Sequence, residues 1–111
     1  MIRSAVLASA TAVALSLFAM SGSANAASFN CSKSGLTYTE DSICDNGRTS
    51  HLDSVMAHNY FRDLSHSYGW ERHRIIANQI NWLHDRNACG ADVRCLNQLY
   101  KARIQDLHQL Y

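Results

Sequence analysis

The chain has no proline and only two glutamates, Glu40 and Glu71. Without proline no position forces a kink or a break inside a helix, so chain punctuation falls to glycine. With so few glutamates, and with Glu40 placed where a helix start can use it, a carboxylate pair for acid–base chemistry has little to draw on. Also missing are a Gly-x-Ser-x-Gly elbow, a His-Glu-x-x-His helix and a glycine-rich phosphate loop. His84 and Asp85 are adjacent, and adjacent helical residues point about 100° apart, which prevents them from acting as a dyad. These absences exclude the common hydrolytic and nucleotide chemistries and point to a protein that is not an enzyme and needs no cofactor.

The N-terminus is read as an address. Met1-Ile-Arg3 supplies a short positive segment, Ala5 to Met20 is small and apolar, and Ala24-Asn25-Ala26 offers an Ala-x-Ala cleavage signal. A membrane anchor is the rival reading, but spanning needs roughly 20 apolar residues, and this run is shorter. Lipid attachment is disfavoured because Cys31 follows Ala27-Ser-Phe-Asn30. Residues 1–26 are therefore expected to be a signal peptide, with a periplasmic or secreted domain over residues 27–111 that is not inserted in the membrane. Loss of Arg3 with the signal leaves nine Lys and Arg against nine Asp and Glu. A mature chain with no net charge has no overall field to attract nucleic acid or anionic lipid.

A core this small is marginal without covalent help. Four cysteines, Cys31, Cys44, Cys89 and Cys95, all lie in the mature part, an even number in an oxidising compartment. Of the three possible pairings, Cys31 with Cys44 and Cys89 with Cys95 each bracket a turn. The first loop is worth roughly 3 kcal/mol on chain entropy and the second less. Zinc sites favour Cys-x2-Cys pairs, a spacing that these cysteines do not have. The six histidines raise a metal or pH-sensor reading, with His51 and His58 on one helix face. The others fit no usual ligand spacing, so solvated surface histidines and no metal site are expected.

Gly35, Gly47, Gly69 and Gly90 each fall between helix-like segments, where a positive φ is anticipated. Thr37-Tyr38-Thr39-Glu40 reads as a capping box opening a short helix to Cys44. A second helix is expected from Thr49 or Ser50, with Leu52, Met56, Tyr60 and Leu64 at steps of four and Val55 and Phe61 flanking. A third begins near Trp70 and carries Ile76, Ile80 and Leu83. Its Gln79, Trp82, Arg86 and Cys89 share one face. Asp92 can cap a fourth, which carries Leu96, Leu99, Tyr100, Arg103, Ile104 and Leu107. No stretch alternates long enough for a strand. The fold class is all-α: a small disulfide-stapled helical bundle of about four helices, the last two a helical hairpin.

Ser-Phe-Asn-Cys31, Glu40-x-x-Ile43-Cys44, Leu52-Asp53, Tyr60, Gln79-x-x-Trp82-x-x-x-Arg86-x-x-Cys89 and Cys95-x-x-x-x-Tyr100-x-x-Arg103 together resemble the N-terminal domain of the LprI-type lysozyme inhibitor family. The resemblance covers essentially the whole mature chain, apart from the connector Tyr68 to Arg74, which is this chain's own. It implies a helical secreted protein that works by recognition, with lysozyme as a possible protein partner. An envelope or host-interaction module with another partner, or a metal-binding periplasmic protein, are the alternatives.

Within the matched residues, Trp82 is expected in the core beside Ile75 and Gln79. Arg86 on the same face needs carboxylate or carbonyl partners if buried. Asp53 is the expected partner, with Glu40 next, and Tyr60, Tyr100 or Gln79 adding hydrogen bonds. Arg103 belongs to the same structural polar set. The most interface-like segment is Tyr68-Gly69-Trp70-Glu71-Arg72-His73-Arg74, in which Tyr68, Trp70, Arg72, His73 and Arg74 are the candidate partner-binding residues. The competing reading tucks Trp70 into the bundle as a helix staple and leaves the arginines solvated.

Overall fold

The structure, a computed structural model, describes residues 28–108. The expected signal peptide and its cleavage site lie outside the described residues. Within them the chain forms four helices, α1 (Tyr38–Asp45), α2 (Gly47–Ser65), α3 (Gly69–Ala88) and α4 (Val93–His108), and no strand.

Each helix starts where its sequence supplies an acceptor or a free backbone. Thr37 and Glu40 close a full capping box on α1: the Glu40 amide donates to Thr37 Oγ1 at 3.1 Å and the Thr37 amide to Glu40 Oε1 at 2.9 Å. A single residue, Asn46, separates α1 from α2, and its Oδ1 accepts the Thr49 amide at 3.0 Å. That cap moves the start of α2 back from Thr49 to Gly47. Gly47 is therefore the first residue of a helix and has no positive φ, contrary to its expected role as a break. The glycines at the other two corners do take the left-handed region, Gly69 at φ +52° and Gly90 at +61°. Asp92 Oδ1 accepts the amides of Arg94 and Cys95, at 3.1 and 3.2 Å, and so caps α4.

The disulfides pair Cys31 with Cys44 and Cys89 with Cys95. The second bridges the four-residue corner between α3 and α4, across which Trp82 meets Tyr100 and Gln79 meets Arg103. Residues equidistant from the corner pair up, so α3 and α4 form an antiparallel hairpin. By contrast α2 and α4 run parallel, because Thr49 meets Asn97 and Asp53 meets Tyr100 at nearly constant separation. Their contact is the most extensive in the bundle. Helix α1 closes the clipped end, with Thr39 Oγ1 donating to the Asn87 carbonyl and Ser42 Oγ to that of Ala91.

The core is Ile43, Met56, Trp82, Leu96, Tyr100 and Leu107, with Trp82 and Tyr100 edge-to-face at 5.2 Å. On α3 the buried face is Ile75, Gln79, Trp82 and Arg86. On α2 the innermost stripe is not the expected apolar row. Thr49, Asp53, Met56, Ala57, Asn59 and Asp63 are buried, Leu52, Tyr60 and Leu64 are half-buried, and Phe61 is exposed. Met56 and Ala57 apart, the apolar residues flank a seam of buried polar side chains.

Candidate functional site

The polar seam accounts for most of the matched residues. Asp53 is fully buried and accepts from Tyr100 Oη at 2.7 Å, and from Ser28 through both its hydroxyl (2.7 and 2.6 Å) and its amide (3.2 Å). Burial, then the Asp53 charge and the hydrogen bond to it, push the Tyr100 phenol far above its ordinary value, with Arg86 opposing. Arg103, also buried, donates from Nε and Nη2 to Gln79 Oε1 (3.1 and 2.8 Å) and from Nη1 to Asn78 Oδ1 (2.6 Å), and it lies over the Trp82 ring at 5.9 Å. Desolvation lowers its pKa, while the charges of Asp106, Tyr60 and Asp63 oppose that shift. Gln79 completes this second cluster by donating to Met56 Sδ at 3.4 Å.

The expected Arg86–Asp53 pair is not formed. Among the described residues no ion pair joins them; Arg86 donates from Nε and Nη2 to Asn87 Oδ1 at 3.1 and 2.9 Å and sits over the Phe29 ring at 5.8 Å. The parallel contact of α2 with α4 presents the Tyr100 hydroxyl to Asp53, and Ser28 fills its remaining acceptor sites. Nor does Glu40 pair with Arg86, since its Oε1 is committed to the Thr37 amide. Tyr60 is half-buried in a groove wall, and its phenol is raised by burial, against the nearby Arg72 and Arg103 charges.

Two contributors went unread in the sequence. Ser28 opens the matched Ser-Phe-Asn-Cys31 stretch but has no expected role there; its position three residues before Cys31 tethers it to α1 through the disulfide. Asp63 is 3% exposed, its carboxylate oxygens have no hydrogen bond, and its neighbour is Arg62 at 3.7 Å.

The connector between α2 and α3 is different in kind. Tyr68 is 81% and Trp70 82% exposed, which overturns the helix-staple reading of Trp70. Arg72 Nη1 donates to the Leu64 carbonyl at 2.7 Å and so bonds the start of α3 to the end of α2. Arg74 pairs with Glu71 at 3.0 Å on the surface, and His73 is exposed. The turn before α3 and the first residues of α3 thus present two aromatic rings, a histidine and two guanidinium groups beside the end of α2.

Among the described residues no group of three His, Cys, Asp or Glu could hold a metal ion, and no helix is long and apolar enough to cross a membrane. The two disulfides are compatible with an oxidising compartment. The molecule is a disulfide-stapled all-α bundle with a buried polar seam and an exposed aromatic tip. No protein-family model, curated protein or solved structure matches the chain, and so the functional reading rests on the site.

Proposed function

We propose that this protein is an exported, non-catalytic binding protein of the LprI type, which inhibits lysozyme by placing the Tyr68–Trp70 tip in the muramidase cleft. The observation that carries this reading is the exposure of both rings, 81% and 82%, on a connector fixed by Arg72. Neighbouring aromatic side chains held outward form the kind of exposed apolar surface that marks interaction sites, and Trp, Tyr and Arg are the residue types that dominate binding energy at interfaces. Lysozyme works with a pair of carboxylates in an open cleft. A tip bearing His73 beside its aromatic anchors, with Arg72 and Arg74 next to them and Arg74 paired to Glu71, offers that cleft shape and hydrogen-bond donors.

The test is a turbidity assay of lysozyme on cell walls, with direct binding measured against several lysozyme classes. The wild type should inhibit, and Tyr68→Ala with Trp70→Ala should weaken binding by at least about tenfold, as expected for anchor residues. Absence of binding to every lysozyme class, or full inhibition by the double variant, would reject the reading.

A further inference from the structure

A second region of the molecule carries a site apart from the tip. Between α2 and α3 runs a groove of about 390 Å³, within the roughly 300–1,000 Å³ range of small-molecule sites. Met56, Phe61, Ile76, Ile80 and Leu83 line it. Phe61 and Ile80, one on each wall, are 55% and 50% exposed. The sequence placed Phe61 beside the apolar row of α2 and Ile80 among the apolar residues of α3, and the folded bundle leaves both bordering open space.

Arg86 also reaches this groove, although only 4% of it is exposed. Its partners are neutral, the Asn87 amide oxygen and the Tyr100 hydroxyl, and no carboxylate among the described residues lies within ion-pair distance of it. Glu40 shares the wall, with Oε1 bound to the Thr37 amide. A guanidinium cannot shed its charge, and a buried one without a counter-ion is the electrostatic complement of an anion. Here it adjoins an apolar trough.

We propose that this groove binds a small amphipathic anion, a molecule with one apolar chain and a carboxylate head. The chain lies along Phe61, Ile76, Ile80 and Leu83, and the head meets Arg86. The flexible thioether of Met56 lets the floor adapt to the chain. Glu40 limits the affinity by placing a second negative charge near the head.

The oxidised protein can be titrated with dodecanoate, dodecanol and dodecyltrimethylammonium, all below micelle-forming concentration, while the methyl resonances of Met56, Ile76, Ile80 and Leu83 are followed. Dodecanoate should shift these resonances and bind at least about tenfold more tightly than the neutral and cationic chains. Glu40→Gln, which retains a capping side chain, should tighten dodecanoate binding, Ile80→Glu should abolish it, and Arg86→Gln should level the three amphiphiles. Should Arg86→Gln fail to fold, the head-group series and the Glu40→Gln variant still decide. Equal binding of the three chains, shifts confined to the tip, or indifference to Ile80→Glu would overturn the proposal. So would a dimer in sedimentation that Ile80→Glu dissociates, which would assign the groove to a second copy. The Tyr68→Ala, Trp70→Ala double variant should bind dodecanoate normally, so this outcome is independent of lysozyme.

Discussion

The C-terminal end of α3 meets α4 through the Cys89–Cys95 clip, with α1 hydrogen-bonded over the corner and Trp82, Arg86 and Cys89 turned inward. The N-terminal end of the same helix, 20 residues away and so about 30 Å along its axis, carries Tyr68 and Trp70 pointing into solvent. No disulfide holds this second end; hydrogen bonds do, from Arg72 and Ser67 to the Leu64 carbonyl and from His66 to that of Arg62. The clipped end uses sulfur and a polar seam to make a small core stable, which frees the far end to expose aromatic surface. Stabilising contacts and exposed aromatic surface are thereby placed on separate residues, and under the proposed function variants at the two ends should behave oppositely.

The largest effect should come from the clipped end. Cys31→Ser with Cys44→Ser opens a loop of sequence separation 13 and should cost about 3 kcal/mol in urea denaturation; it also releases the segment that carries Ser28 to Asp53. The corresponding change at Cys89 and Cys95, at separation 6, should cost about 2 kcal/mol. A larger loss from the second pair would show that the hairpin neck, not the N-terminal tether, governs this end. Next in size, Asp53→Asn should cost about 2 kcal/mol, because it weakens the charge-assisted bonds to Tyr100 and Ser28 at a buried site.

Tyr100→Phe should cost about 1 kcal/mol at neutral pH and should also change the alkaline limb of the stability curve. The unfolded chain gives up its tyrosyl proton above the ordinary value of 10.0, while burial beside Asp53 keeps the folded phenol protonated. Stability contributed by Tyr100 is therefore complete below pH 10 and declines as pH rises beyond it. Tyr60 shifts in the same direction, so the variant should flatten this decline without removing it. A slope identical to that of wild type between pH 9 and 11 would remove Tyr100 from the account. Smallest of all, Trp70→Ala should move stability by less than about 0.5 kcal/mol, as for other exposed positions. A large loss of melting temperature there would mean that the tip supports the fold after all.

Much of the fold was legible in residue order because it depends on local chemistry. Thr37 and Glu40 are close enough in sequence to cap one another, Gly69 and Gly90 mark corners that need left-handed backbone, and each cysteine pair spans a short loop. The inward face of α3 followed from the spacing of Gln79, Trp82 and Arg86. On α2 the same periodicity reasoning ranked apolar residues above polar ones, and it therefore missed that Thr49 and Asp63 are buried with Asp53, itself expected inside but with a different partner.

The sequence by itself determined the four helices, the corners at Gly69 and Gly90 and the sulfur pairing, since helix periodicity and loop closure act over a few residues. Only the tertiary structure decided which polar groups met. Asp53 took Tyr100 and Ser28 in place of Arg86, Arg103 took two amides, and Trp70 turned outward, because α2 lies parallel to α4 and each contact depends on how helices far apart in the chain are set against one another. Spacing within one helix shows which residues share a face, but it does not show which face of another helix will be opposite.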